Sequence, residues 1–381
     1  MTINRRDFVV GSGALLSTAA FTQACGRASS DPRPMGASDV ADPPIVGALR
    51  YGVTAPSAHN TQPWLIELVS ETEARLFVDP ERLLPATDPP ARQIHISHGT
   101  FVEAVAIAAT QHRYLAEVTF LPEGPMAPSE FGAKPTAAIR LIEAPSTKRD
   151  TLFDQLLLRR TSRLPHEGPM VTREEAAPIV AEASDGGLDV KLLPEAELPE
   201  AFEIIRTAMA IEVNDFTTYD ETRAWFRFSK RATRRHGDGL SINTAGLTGF
   251  AAGSANVFLG ERNFHKEKNR ARFLKTFDET VDSSRGVLTI TSSSNTMTDW
   301  LASGRAYLRA QLAASARGLR LHPVSQALQE YSLMDEPRAQ VHQLLGVEAP
   351  ARIQMLVRIG RTRTPGLSPR RPLSEMMTQR S

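Results

Sequence analysis

Two short stretches of the chain bring together side chains that could do chemistry. The first is Ala55-Pro56-Ser57-Ala58-His59-Asn60-Thr61-Gln62-Pro63-Trp64. Two prolines bracket hydroxyl, imidazole and amide groups, which makes a rigid turn that leads into a strand. The second is Arg159-Arg160-Thr161-Ser162-Arg163, followed by Pro165. Three guanidinium groups and two hydroxyls meet where an apolar helix ends. Guanidinium forks and hydroxyls suit a phosphate monoester; a solvated basic turn is the plainer reading. Other chemistries lack their signatures. There is no GxxxxGK[ST] phosphate loop, no HExxH and no GxSxG elbow. His95 and His98, with Glu103 nearby, follow no metal-ligand spacing and read as polar residues at a helix start.

The whole chain sets the bounds on this chemistry. It has 381 residues, a formal net charge of +1, 41% hydrophobic residues and one cysteine. That length suggests two packed units or one large one. The charge argues against a nucleic-acid-binding surface. One cysteine excludes a disulfide framework, a thiolate zinc site and an iron–sulfur cluster.

Two blocks are expected to position the motifs, residues 45–149 and 150–381. In the first, strands are predicted over Pro63–Leu68, Arg75–Val78 and Ala137–Ile142, with a helix over Ser97–Glu117 on the stripe Phe101, Val105, Ala108, Ala109 and Leu115. In the second, a helix covers Leu152–Arg159, and another opens at Thr172 with Glu175 completing a capping box. Strands follow at Leu188–Leu193, Gly286–Thr291 and Ile353–Ile359. The stretch 200–280 is helical and polar, and a helix over Thr298–Arg317 stops at Gly318. Ile96 to Ala116 and Leu301 to Arg317 share a helix-into-strand pattern, a weak internal repeat.

The first 44 residues read as an address and linker. Arg5-Arg6 precedes a mildly apolar run, Phe8 to Phe21, too short for an ordinary membrane span. Arg-Arg-Asp-Phe-Val resembles a twin-arginine export signal. Thr22-Gln23-Ala24-Cys25 resembles a lipoprotein cleavage box, although Thr22 stands where leucine is usual. Cys25 is thus a lipidation candidate or a small residue near an ordinary cleavage site. Export by the twin-arginine machinery would leave the protein periplasmic or tethered to a membrane; without a working signal it stays cytoplasmic.

The chain resembles the nitroreductase superfamily of FMN enzymes at four places. PSAHNTQPW is similar to that family's P-S-x-x-N-x-Q-P-W turn, and LLRRTSRLPHEGPMVTREEAAPI to its R-x-S/T-x-R/K segment with a capped helix. Gly318-Leu319-x-x-x-Pro323 resembles its step after the core helix. Arg358-Ile359-Gly360 through Arg370-Arg371-Pro372-Leu373-Ser374-Glu375 resembles its closing strand and basic tail. The order departs from the family: the turn precedes the Arg motif by about a hundred residues, and each block supplies half a site. This ordering resembles the Acg-type branch, single-chain flavoproteins with one FMN under a lid. The resemblance implies an α+β nitroreductase-like fold duplicated within one chain, a pseudo-dimer with a helical lid insertion at about 200–280 and scope for further dimerisation.

The resemblance also implies roles. Arg159, Arg160, Thr161 and Arg163 would hold the FMN phosphate, ribityl or pyrimidine edge, with Arg163 near N1–O2. Pro56, Ser57 and Asn60 would approach from the first block. Ser325 and Gln326 match a backbone-contact step near the ring, and Arg370 and Arg371 a basic tail on the phosphate. Trp225 and Phe226 would cover the ring. Gly237, Gly239, Gly246 and Gly249 would allow hinge motion. Lys230, Arg231, Arg234 and Arg235 would bind an anionic ligand or form a polar surface helix. No catalytic acid or nucleophile is expected, since flavin performs the chemistry. Two functions are implied: two-electron reduction of a nitroaromatic, quinone or similar small acceptor, with NAD(P)H or another donor, or a lidded FMN-sequestering protein with little turnover.

Overall fold

The architecture follows from two sets of strands that alternate buried and exposed residues and from helices whose apolar faces cover them. It was read from a computed structural model, which describes residues 42–184, 187–241, 244 and 261–378. The leader with Cys25, and Gly246 and Gly249, lie outside the described residues.

The first half runs α1 (Pro44–Gly52), β1 (Trp64–Leu68), β2 (Glu73–Val78), α2 (Arg92–Thr110), β3 (Tyr114–Phe120) and β4 (Pro135–Glu143). Its strands form an antiparallel sheet in the order β1-β2-β4-β3. The second half runs α3 (Arg173–Ala183), β5 (Asp189–Leu192), then an insertion, then β8 (Val287–Ser292), α8 (Met297–Ala316), β9 (Leu319–Pro323), α9 (Asp335–Leu344) and β10 (Arg352–Arg361). Its sheet has the order β5-β8-β10-β9, again antiparallel. Strand for strand the two orders coincide, so the α+β fold is duplicated within one chain. The insertion holds α4 (Leu198–Asn214), α5 (Phe216–Ala224), β6 (Phe226–Arg227), α6 (Lys230–His236), β7 (Leu240–Ser241) and α7 (Glu267–Asp282).

The halves meet where α2 crosses α8, and the contact is reciprocal. A Cβ on Gly99 would lie 1.9 Å from the Leu301 carbonyl oxygen; a Cβ on Gly304 would lie 2.0 Å from that of Ile96. Glycine at both positions lets the backbones touch, and the exchange of partners marks a local two-fold axis. Buried Glu103 on α2 ties the crossing by ion pairs to Arg305 and Arg309 of α8, at 2.6 and 2.9 Å.

Two segments outside the sheets are tied to their strands by backbone bonds, and the second crosses between the halves. Thr161 makes a parallel bridge to Leu321 of β9, and Ser162 N donates to the Leu321 carbonyl at 3.1 Å. Beyond β10 the chain returns to β1, where Ile66 bridges Met377 and exchanges backbone bonds with Met376 and Thr378.

Two helices end elsewhere than the sequence suggests. The helix expected over Ser97–Glu117 spans Arg92–Thr110; after a turn at Arg113, with φ of 64°, the chain enters β3, where Leu115 is exposed. The expected Leu152–Arg159 helix contracts to one 3-10 turn, Phe153–Gln155. Asp150 Oδ1 caps Leu152 N at its start, and the following residues must extend to reach β9. Tertiary pairing overrides helix propensity there. The Thr172–Glu175 capping box forms as expected.

Candidate functional site

The connection, the returning tail and the end of α1 together build a cationic pocket. Leu156, Leu157, Arg159, Arg160 and Thr161 line it from the connection, Ser368 and Arg370 from the tail, and Thr54 from the end of α1. Arg159 donates to the Thr54 carbonyl at 2.7 Å and to Gln311 Oε1 of α8 at 3.1 Å. Arg370 donates to the Thr54 and Ala55 carbonyls at 3.0 and 3.1 Å and to Asn60 Oδ1 at 2.8 Å. Gln311 Nε2 in turn donates to Thr161 Oγ1 at 3.1 Å. Three guanidinium groups and three hydroxyls therefore face one small space. That donor set fits a phosphate monoester.

The proline-bracketed turn stands beside this pocket. His59, Asn60 and Gln62 have φ of 46°, 55° and 52°, three left-handed residues out of four with no glycine among them. Such strain persists where surrounding bonds over-determine it. Ser57 Oγ accepts from Gln62 N, the Pro56 carbonyl accepts from Thr100 Oγ1, and Ala58 N donates to Ser97 Oγ. The turn is locked to α2 and closed on itself. Its amides reach the other way: Asn60 Nδ2 donates to the Gly239 and Pro369 carbonyls, and Gln62 Nε2 to that of Gly237. Arg371 N donates to Gln62 Oε1. Asn60 and Gln62 thus hold the inserted strap and the basic tail against the turn.

The strap is tied at further points. Glu221 of α5 accepts from Ala86 N, Thr87 N and Thr87 Oγ1, at 2.6 to 3.0 Å. Thr222 Oγ1 meets His59 Nε2 at 3.2 Å, and Asp238 pairs with Arg82 and Arg227. Trp225 and Phe226 part company here. Trp225 has the Arg82 and Arg227 guanidiniums over its ring and packs against the first half's cluster of Val78, Leu84, Ile94 and Phe131, whereas Phe226 packs with Phe228 and Phe264 in the second half's core. The basic residues of α6 lie on an exposed face, as a polar surface helix does.

Arg163 is half-buried and lies beyond the bridge to β9. It donates to the Thr244 carbonyl at 3.0 Å, and burial holds its pKa down. Burial first, and then the Arg163 charge, depress two histidines, His59 to about 4 and His322 well below the usual value. Tyr307 of α8, influenced by both Arg159 and Arg163, is raised to about 12 by burial. Ser325 Oγ bridges to Leu356 of β10 on both backbone groups, at 3.1 and 3.2 Å, and so fixes the exit of β9. Gln326 follows with its Oε1 buried and unbonded.

The structure therefore gathers Arg159, Arg160, Thr161 and Arg370 into one pocket and sets Asn60 on its edge. Arg163 stands on β9's side, with Ser325 and Gln326 following that strand, and Arg371 is turned toward Gln62, Asp79 and Glu375. Sequence reasoning missed Thr54, Ser368, Gln311 and His322. His98 spends both ring nitrogens on Thr136 and the Pro63 carbonyl, and His95 bonds the Ala91 carbonyl. Among the described residues no group of histidines, cysteines and carboxylates could hold a metal.

No protein-family profile matches the chain. It is 36% identical over 129 residues to the Mycobacterium tuberculosis protein Rv3127, across 33% of this chain and 36% of that one. It is 27% identical over 177 residues to Rv3131 of the same organism, provisionally named an NAD(P)H nitroreductase, across 46% of this chain and 49% of that one. The match therefore spans half or less of the length of these relatives. Among solved structures it is similar to the FMN-dependent nitroreductase NfnB from Mycobacterium smegmatis in complex with NADPH, with a TM-score of 0.37, 17% identity, and coverage of 60% of this chain and 96% of that one.

Proposed function

We propose that this chain is an FMN-binding oxidoreductase of nitroreductase type, with one flavin held between its two halves. The observation that carries the reading is the inter-half pocket in which Arg159, Arg160, Arg370, Thr161 and Ser368 converge. Its charge and its set of guanidinium and hydroxyl donors suit a flavin phosphate. Arg163 and Gln326, along β9, would face the pyrimidine edge of the ring. When bound, FMN supplies the electron and hydride chemistry; the protein's part is to bind, orient and shield it. The acceptor class is a small nitroaromatic or quinone. The similarity to a relative named as a nitroreductase supports this reading over the matched stretch.

A second reading has its own observation. The strap is fastened to the turn by Glu221, Thr222, Asp238 and the Gly237 and Gly239 backbone. A cover held this firmly favours a flavin-sequestering protein with little turnover. The absorbance spectrum of the purified full chain, before and after anaerobic NADPH or NADH, separates the two. Flavin bands that bleach and then return with menadione or nitrofurazone support the reductase. Bands that resist both donors support sequestration. A colourless protein that binds no added FMN sinks both.

The twin-arginine leader, outside the described residues, supports export after folding with the flavin loaded, as either a free or a Cys25-tethered periplasmic protein. Replacing Arg5 and Arg6 by lysine should abolish export; unchanged delivery would refute it.

A further inference from the structure

One buried pair in the second half stands apart from its counterpart in the first. Strand register makes Arg140 and Arg358 equivalent: Arg140 pairs with the first residue of β2, and Arg358 with the first residue of β8. On their other side the register sets Glu117 beside Arg140 and His322 beside Arg358. In the first half the arginine therefore lies between two acids, Glu73 and Glu117. It forms an exposed ion pair with Glu117 at 2.6 Å. In the second half its neighbours are Val287 and His322. Arg358 is 0% exposed and His322 6% exposed. The acid has given way to an imidazole in the half that carries the Arg159–Arg163 segment.

The bonds around the pair fix its protonation. Arg358 Nε donates to Ser284 Oγ at 2.6 Å and Nη2 to Ser283 Oγ at 3.2 Å. Arg358 Nη1 lies 3.1 Å from His322 Nδ1. A guanidinium only donates, so Nδ1 must be the acceptor and the ring proton must sit on Nε2. Protonating Nδ1 would break this bond and place a second cation against the first. The charged or titratable groups facing His322 are Arg163, Arg358 and His166. Arg285 bears on His166 in turn, and His59 and Tyr307 interact with Arg163. None of these is a carboxylate. Among the described residues no acceptor bonds His322 Nε2.

We propose that Arg358 locks His322 as a neutral Nε2–H donor, and that this donor, beside Arg163, binds the electron-rich edge of the ligand. Arg358 is the positioning residue and His322 the binding residue. The ligand role rests on the proposed flavin site; the tautomer lock does not. Arg163 follows the bridge of Thr161 to Leu321 by two residues, His322 follows Leu321 on β9, and the Arg163 charge acts on the His322 ring. A cation and a fixed neutral donor together suit an acceptor that gains negative charge, without themselves changing charge through the neutral range.

Two measurements on the full chain test the two parts separately. Ring 15N NMR of the protein, with His322 assigned by its loss in His322→Gln, should show a neutral Nε2–H imidazole down to about pH 5. Arg358→Gln should free Nδ1 to carry a proton and move the titration upward toward the ordinary value, with burial and Arg163 still holding it below about 6.5. A wild-type His322 that titrates near 6.5, or carries its proton on Nδ1, overturns the lock even if the arginine variant fails to fold. FMN affinity, read by quenching of flavin fluorescence, tests the ligand role. His322→Leu should weaken binding about tenfold, and His322→Gln, which keeps an N–H, by less than about threefold. Equal losses in both overturn it. Wild type that binds no FMN removes the flavin site and the ligand role together, and leaves the lock to the NMR result.

Discussion

At the scale of residues, the same side chain often serves the fold and the candidate site. Asn60 accepts from Arg370 through Oδ1 and donates to the strap and tail through Nδ2. Its place beside the pocket was legible from the proline-bracketed turn, but its partners were not, since they lie about 180 and 310 residues away. Thr54 and Ser368 carried no signal in the sequence because an isolated hydroxyl in a loop has no spacing to read. Gln311 sits mid-helix on α8 and looks like any polar residue there. Arg160 gives a direct test of the pocket, which it lines while donating to the Leu157 and Arg159 carbonyls. Arg160→Gln should raise the Kd for FMN about tenfold, as expected for one lost charge-assisted contact. Riboflavin, which lacks the phosphate, should bind the variant and the wild type alike. Parallel fluorescence titrations check this, and an equal loss for both ligands would move the phosphate elsewhere.

At the scale of elements, most strands were legible because period-two patterns and turn residues mark them directly; β3, read as helix as far as Glu117, was not. Helix ends were legible only where a local device stops the helix. Gly318, with φ of 71°, and the Thr172–Glu175 box are such devices. The turn after Thr110 has none, and the connection before Arg159 is shaped by pairing with β9. The duplication was faint in the sequence, because it resides in strand order and in the α2–α8 crossing. That crossing can be probed at one atom. Gly304→Ala would drive a methyl against the Ile96 carbonyl, with backbone on both sides and no side chain to yield. We expect a loss of about 3 kcal/mol in urea unfolding. Gly47→Ala, in α1 with nothing within 4 Å of the added carbon, should be neutral or gain up to about 1 kcal/mol. A tolerated Gly304→Ala would mean that the halves can slide apart at little cost. Removing the Glu103 carboxylate, buried between Arg305 and Arg309, should cost about 2 to 3 kcal/mol by the same assay.

At the scale of the whole molecule, the strap joins the second half's insertion to the first half's turn, and its seat contains an ionisable group. Glu212, near the end of α4, is buried and bonded by Gln329 Nε2 at 2.7 Å. Burial first, then the charge of Glu221, raises its pKa from 4.5 to about 7. Glu221 is the residue that fastens α5 to Ala86 and Thr87. A carboxyl whose folded pKa lies above its unfolded value contributes its full stability below the unfolded pKa and loses it as pH rises through the folded one. Glu212 should therefore weaken the seat of the strap between about pH 4.5 and 7, by an order of 3 kcal/mol at most. Asp88, also raised to about 7 by burial, acts in the same direction at the loop that Glu221 caps. The buried histidines act oppositely: His59, His95, His98 and His166 are held neutral, so they destabilise as pH falls below 6.5. The two trends can be separated by comparing variants. Glu212→Gln should match wild type near pH 5 and exceed it in thermal stability by pH 8, while leaving the acid limb unchanged. Amide exchange across residues 215–241 should accelerate from pH 5 to 8 in wild type, after correction for intrinsic rates, and less in the variant. If the variant's advantage is the same at both pH values, Glu212 does not titrate in the seat, and the strap owes its hold to Glu221, Thr222, Asp238 and the Gly237 and Gly239 carbonyls.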